Sequence, residues 1–344
     1  MKKNILHIFW SFTRGGAEYL VKEIAENPSP SHSHSIIVIN NHYDKDLIDS
    51  FSKNVKFILL NRKSKSRNIF WVFNLISAVI PKKNRIIHCH NYSLIYVVWI
   101  FFKTTKYLTI HGFDTKLKKY RLFDEVICVS PALSAYVEDK TNIETMTILN
   151  GVNNRLIKTK NIFNEKPNIL FIGRFDNNIK GVDVLVEAIN ILINSGNEVY
   201  LTIIGKGSKK SSLEEYIDSN GLNDYVFFKG LVDRTSVYNL LLDYDISVIP
   251  SRKESFSLFA VESMMAKVPI IVSEIPGLSE ISGDYSFKFE SENADDLSRC
   301  ILEAIIEIKN KKILSRTENS YNYAVANYNM DLMIKNYQKL YNSS

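Results

Sequence analysis

Two carboxylates eight residues apart, Glu254 and Glu262, bracket the run Ser255-Phe256-Ser257-Leu258-Phe259-Ala260-Val261, just after the apolar stretch Ser247-Val248-Ile249-Pro250-Ser251. The order predicts a strand, a turn and a helix that starts between the two acids. Eight helical residues rise about 12 Å, near the span from a sugar ring to the ribose of a nucleotide-sugar. The first-turn amides of such a helix lie between the carboxylates and suit a diphosphate. One segment could therefore grip sugar, diphosphate and ribose together. A helix cap with a solvated glutamate is the plainer alternative, and the segment alone leaves both open.

Other residues point the same way. Gly173-Arg174-Phe175 follows an apolar strand at residues 169–172, and Lys180-Gly181 stands shortly before a helical pattern. The carboxyl end of a strand is where open α/β sheets bind ligands. There Arg174 offers a fork and Lys180 a point charge for a diphosphate, against the alternative of two solvated cations. Gly205-Lys206-Gly207 and Gly230 also follow apolar strands, and permit close backbone contact. Gly15-Gly16-Ala17-Glu18 joins a first strand to a first helix but lacks the third glycine of a dinucleotide fingerprint. His111 lies just past a strand and could touch substrate. His88 and His90 alternate at one strand end, with no third ligand evident nearby, so no metal site is expected. Neither a hydrolase elbow nor a Walker A sequence appears.

These groups need a frame, and the pattern of apolar runs supplies one. Short strands are predicted at residues 4–9, 35–39, 55–60, 85–89, 107–110 and 125–129, and again at 168–172, 199–204, 226–229, 246–249, 270–272 and 286–289. Helical periodicity fits 17–25, 69–80, 93–101 and 131–136, then 181–194, 209–219, 235–242, 258–266, 294–309 and 331–341. Strands alternating with helices mean parallel sheets covered on both faces. The pattern restarts after the polar stretch 150–166. The expected architecture is α/β, with two Rossmann-like domains facing a central cleft: residues 1–152, then 153–325, then a C-terminal helix within 326–344 that packs back on the first domain. The serine-rich residues 29–35 read as an insert lengthening a surface loop.

Composition narrows the class. The 344 residues are 45% hydrophobic and 23% charged, which fits a globular protein. Three scattered cysteines, Cys89, Cys128 and Cys300, favour neither a disulfide framework nor zinc, and fit a reducing compartment. No stretch reaches the roughly 18 apolar residues of a spanning helix; the nearest are residues 69–81 and 94–102. Residues 1–150 hold 21 Lys+Arg against 12 Asp+Glu, whereas the remainder hold 22 against 25. A basic first half carrying Phe70, Trp71, Phe73, Tyr96, Trp99, Phe101 and Phe102 could dock on an anionic membrane surface; core helices with basic solvent faces are the alternative. The basic residues form no nucleic-acid-binding stripe.

Taken in order, Gly15-Gly16-Ala17-Glu18, His111-Gly112, Leu149-Asn150-Gly151-Val152, Gly173-Arg174 with Lys180-Gly181, Gly205-Lys206-Gly207, Phe227-Phe228-Lys229-Gly230, Pro250-Ser251 with Glu254 and Glu262, and the run from Pro269 to Glu280 resemble the retaining glycosyltransferases of family GT4, which have the two-domain GT-B fold. The resemblance covers nearly the whole chain, and the Glu-x7-Glu segment is its most specific part. It implies transfer of a sugar from a nucleotide-diphosphate sugar to a glycan or lipid-linked acceptor in cell-envelope polysaccharide synthesis. Arg174 and Lys180 would neutralise the diphosphate, and Glu262 would bind the ribose hydroxyls. Glu254 would contact the transferred sugar, helped by amides around Phe256, Ser257 and Leu258. Gly205 and Gly230 would line the donor side, Gly16 would approach the diphosphate from the first domain, and His111 would touch the sugar. Serines at 255 and 257 replace frequent family glycines, which obscures donor identity, and Asn153 stands where an aspartate is common.

With no carboxylate evidently placed as a covalent nucleophile, front-face attack assisted by the departing phosphate is the expected route, without a metal or other cofactor. The expected location is cytoplasmic, at the inner face of the cell membrane. Rival readings are a GT-B nucleotide-sugar epimerase or sugar phosphorylase, a non-catalytic sugar-nucleotide-binding subunit, and an NAD-dependent oxidoreductase.

Overall fold

The computed structural model describes residues 2–63, 66, 69–80, 84–113, 120–176, 178–232 and 234–343. The chain divides into two units, Met1–Gly151 with Met330–Ser344, and Val152–Asn329. The changeovers thus fall at 151/152 and 329/330, against 152/153 and 325/326 from the sequence.

In the first unit, strands β1 (Lys3–Phe9), β2 (His32–Asn40), β3 (Lys56–Arg62), β4 (Arg85–Cys89), β5 (Thr105–Ile110), β6 (Glu125–Cys128) and β7 (Met146–Thr147) form one sheet in the order β3-β2-β1-β4-β5-β6-β7. Every pairing is parallel. The inner strands bury nearly every apolar side chain, as a sheet covered on both faces requires. Helices α1 (Gly16–Glu26), α2 (Lys45–Asp49), α3 (Phe70–Val79), α4 (Ile95–Val98) and α5 (Pro131–Thr141) connect them.

The second unit repeats the plan. Strands β8 (Asn168–Ile172), β9 (Tyr200–Ile204), β10 (Val226–Phe228), β11 (Ile246–Ile249), β12 (Ile270–Ser273) and β13 (Phe287–Phe289) run parallel in the order β10-β9-β8-β11-β12-β13. Around them lie α6 (Val182–Asn194), α7 (Lys210–Ser219), α8 (Arg234–Leu240), α9 (Leu258–Met265), α10 (Pro276–Ser282), α11 (Ala294–Lys309) and α12 (Ile313–Tyr328). In both sheets the chain starts at a central strand, winds out to one edge, then returns to wind toward the other, so each has a topological switch point where ligands bind in such folds.

The last helix, α13 (Met330–Asn342), belongs to the first unit. Its Tyr341 is fully buried and its hydroxyl lies 2.7 Å from His88 Nδ1. No helix among the described residues is long and apolar enough to cross a membrane.

Several expectations are corrected. Residues 32–35 are not part of a surface insert: they open β2, and the period-two alternation His32-Ser33-His34-Ser35 buries both histidines. The helix expected at 93–101 is a 3-10 turn at Tyr92–Leu94 and a single turn, α4; Ile95, Val97 and Val98 are β-branched and poor helix formers. Residues 235–242 divide into α8 and a 3-10 turn at Leu241–Asp243. The helix expected to end at 136 continues to Thr141 and stops at Asn142, which adopts φ 52°. The short α10 and the long α12 were not anticipated. Pro81, at the end of one apolar stretch, lies outside the described residues.

Candidate functional site

In the second unit, three strand ends are stitched together by glycine backbones. Gly173, after β8, donates to Ile204 at 3.0 Å, and Gly205, after β9, donates to the carbonyl of Gly230, after β10, at 2.7 Å. A Cβ on Gly205, whose φ is +145°, would stand 1.9 Å from the Gly173 carbonyl oxygen. Gly205 is therefore needed where backbone meets backbone. Gly230 also has positive φ, but with open space around its missing side chain. Arg174 leaves this platform exposed.

Lys180 ends a short turn, and the chain then enters α6 through Gly181 at φ +64°, where a Cβ would lie 1.8 Å from the Pro250 carbonyl oxygen. That contact presses the Lys180 turn against the segment after β11. Arg252 secures it from the other side: its amide donates to Ile179 at 2.8 Å, and its guanidinium bonds Asp183 through two nitrogens (2.9 and 2.8 Å) and Glu292 at 2.7 Å. Burial raises the Asp183 carboxyl, but hydrogen bonding and charge from Arg252 outweigh it and the net shift is downward.

This bracing brings the Lys180 ammonium onto the Glu254 carboxylate, which also accepts from Ser251 at 3.3 Å. The sequence reading placed the lysine on a diphosphate and the glutamate on a sugar; in the structure the two are paired with each other. The Glu254 backbone is fixed as well, since a Cβ on Gly277 of α10 would lie 2.0 Å from its carbonyl oxygen.

Helix α9 begins at Leu258, between the two acids. Ser257 caps it, its side chain accepting from the Ala260 amide at 3.2 Å. Early first-turn amides have no acceptor within their own helix. Phe256 is buried, its ring edge-on to Tyr328 at 5.7 Å. Glu262 is 2% exposed in α9. Lys180, Glu254, Ser257 and the start of α9 are thus one connected constellation.

Gly16 and His111 lie in the first unit. Gly16 opens α1, and Glu18 folds back beneath the glycines, its Oε1 3.4 Å from the Thr13 amide. His111 Nε2 is 3.1 Å from His90 Nδ1, and burial pushes its imidazole down to about 4. The view that His88 and His90 lack a third ligand nearby is corrected: His7 joins them, with ligand atoms of all three rings within 4.8 Å. Its place on another strand, more than 80 residues away, hid it from a search of neighbouring sequence.

Residues 152–321 match the model of the family described as glycosyl transferases group 1. That match spans nearly all of the second unit. An uncharacterized glycosyltransferase of Methanocaldococcus jannaschii is 28% identical over 228 residues, covering 62% of this chain and 62% of its own length. The phosphatidyl-myo-inositol mannosyltransferase of Mycobacterium leprae is 26% identical over 189 residues, covering 53% of this chain and 49% of its own. The chain thus spans less than two thirds of the length of these curated relatives. Anabaena Alr3699/HepE, solved in complex with UDP and glucose, superposes with a TM-score of 0.82 at 17% identity over 99% of each chain. The fold is GT-B, two Rossmann-like α/β units. The group 1 match covers the whole platform from Gly173 to Glu262. Arg252, Asp183 and Glu292, which set the Lys180 turn, were missed from sequence because they lie far apart along the chain and form no motif.

Proposed function

We propose that this chain is a retaining glycosyltransferase that moves a sugar from a nucleotide-diphosphate sugar to a glycan or lipid-linked acceptor. The observation that carries the reading is the Lys180–Glu254 pair beside the start of α9, with Glu262 farther along that helix. The pair holds a cation and a carboxylate together where a donor presents a diphosphate and a hydroxylated ring. On binding, Lys180 and Arg174 take the diphosphate, the freed Glu254 takes a sugar hydroxyl, and Glu262 takes the ribose. The departing phosphate oxygen accepts the acceptor's proton, and the two cations and helix amides stabilise the charge left on it. No metal is assigned a part.

The relatives support this reading: one is named a mannosyltransferase of a phospholipid, and the HepE structure holds UDP and glucose. The lipid-linked acceptor draws further support from exposed apolar side chains in the first unit, including Phe70, Phe73, Trp99 and Phe102, with a cytoplasmic, peripheral position at the inner membrane face.

The test is a donor panel of UDP-glucose, UDP-galactose, UDP-N-acetylglucosamine and GDP-mannose, with binding by calorimetry and product anomers by NMR. Binding of one donor, transfer with retained configuration and turnover in chelator are expected. Inversion, or strict dependence on magnesium or manganese, rejects the mechanism; epimerised donor without acceptor favours the epimerase reading.

A further inference from the structure

The first unit's sheet gathers histidines that the donor chemistry leaves unused. His7 of β1 pairs in register with His88 of β4, and Ile5 with His34 of β2. Side chains two apart in a strand share a face, so His34, His7, His88 and His90 stand on one side of that sheet. Helix α13 covers the same side: the Tyr341 ring lies 6.5 Å from the His7 ring and 5.8 Å from that of His88. His7, His88 and Tyr341 are fully buried.

Imidazole nitrogens suit zinc, copper and nickel. His7, His88 and His90 each offer one ligand atom, and the three atoms lie within 4.8 Å of one another. His7 Nδ1 and His90 Nε2 face each other at 3.1 Å. Two nitrogens on one tetrahedral zinc, each about 2.0–2.1 Å from it, stand about 3.3–3.4 Å apart. His7 and His90 therefore have only to spread slightly and tilt until their lone pairs converge, while His88 closes in.

Each ring of the triad also has a partner outside it. His7 Nε2 is 3.0 Å from His34 Nδ1, and His90 Nδ1 is 3.1 Å from His111 Nε2. His88 Nδ1 and Nε2 each meet a hydroxyl at 2.7 Å, of Tyr341 and Thr109 respectively. A neutral imidazole has one donor and one acceptor nitrogen. When His7 donates to His34 and His90 donates to His111, the two nitrogens that face each other are both bare, as a shared cation requires. Metal-bound histidines almost always donate their other N–H to such a partner, which fixes the tautomer and aims the ring.

We propose that His7, His88 and His90 bind one divalent transition ion of the zinc class between the first unit's sheet and α13. The ion takes the place of the His7–His90 hydrogen bond and of one of the two hydroxyl bonds of His88. The other hydroxyl still orients that ring, and the released one stands beside the ion as an oxygen for a fourth position. His34 and His111 hold His7 and His90 from behind.

The site draws on the first unit alone and stands whether or not the transferase reading does; the ion has no part in transfer. Its place is structural. His7 comes from the first strand, His88 and His90 from the end of β4, and the cover from the last helix, so one ion would hold together parts of the unit made early and late. The triad is buried beneath α13, so the ion enters before that helix docks.

The test uses the whole chain without an affinity tag, expressed in medium supplemented with zinc or cobalt(II) and freed of loose ion by gel filtration. One ion per chain is expected, with the intense visible bands of tetrahedral cobalt and X-ray absorption showing imidazole nitrogens at about 2.0–2.1 Å. His90→Gln is expected to abolish the bands. His34→Ala should weaken cobalt binding by about 10–100-fold, read by competition with a chelating dye, and His42→Gln, at an exposed position, should leave it unchanged. A folded chain that carries no ion, or an ion that stays in His90→Gln and is thus adventitious, overturns the site. Should His90→Gln not fold, X-ray absorption of the unaltered chain decides, and a spectrum without imidazole scattering overturns the site. An ion on the triad with transfer from no donor rejects the transferase reading alone; transfer without an ion rejects the metal site alone.

Discussion

Glu254 is paired with a cation of its own chain, Lys180. Each partner of the Lys180–Glu254 pair keeps the other aimed and hydrated less than it would be alone, with side-chain exposures of 34% and 12%. Under the proposed function, donor binding is an exchange of partners. Glu254→Ala is expected to lower turnover on the order of 10²–10³ while leaving the thermal unfolding midpoint nearly unchanged; wild-type turnover would remove its role. Glu262→Ala should instead weaken nucleotide affinity, read by calorimetry. Gly277→Ala drives a methyl into the Glu254 carbonyl, so a full-rate Gly277→Ala enzyme would show that this backbone position is not critical. The histidines predict a pH effect. Unfolded imidazoles titrate near 6.5, whereas burial lowers His34 and His88 to about 3 and His111 to about 4. Between those values the unfolded chain binds protons the folded chain refuses. Stability present above pH 6.5 is therefore lost as pH falls, by up to about 1.4 kcal/mol per pH unit per ring. Urea midpoints that stay level from pH 7.5 to 5 would contradict this.

At the scale of elements, the segment from β11 to α9 was legible because its strand, turn and helix each carry a local signal: an apolar run, Pro250, and Ser257 at the cap. Helix α12 shows why other elements were not. Its buried positions are Ile313, Thr317, Ser320, Ala324 and Tyr328, which recur with helical spacing but are mostly small or polar, so a search for apolar periodicity passes over them. The same holds for β2, whose opening buries imidazoles where a strand usually buries aliphatics. Pairings between distant residues leave no local trace. Lys160, before β8, bonds Asp245, before β11, at 3.1 Å, and Asp245 is wholly buried while accepting from Asn164 and Asn168. Removing one partner of such a pair strands the other charge, so Lys160→Met should cost about 3–5 kcal/mol, measured by urea unfolding.

For the molecule as a whole, each unit's α/β plan followed from alternating apolar runs, but the membership of α13 could only be guessed, because nothing in its own residues names the sheet it joins. Its Tyr337 and Tyr341 complete the face that holds the histidines. The exposed side chains of α3, with Phe70 at 71% and Phe73 at 59%, set the outer character of the same unit. Phe70→Ser with Phe73→Ser is expected to reduce sedimentation with anionic vesicles at low salt without changing nucleotide affinity. Equal sedimentation of both proteins would remove the membrane reading.

Because α13 completes a unit whose other residues come first, synthesis and folding run out of step. A ribosome has made all of Val152–Asn329 before it adds the helix that closes Met1–Gly151. The second unit is one continuous segment, so it can finish its core while the first still waits, with a histidine-lined face uncovered, for α13 to emerge.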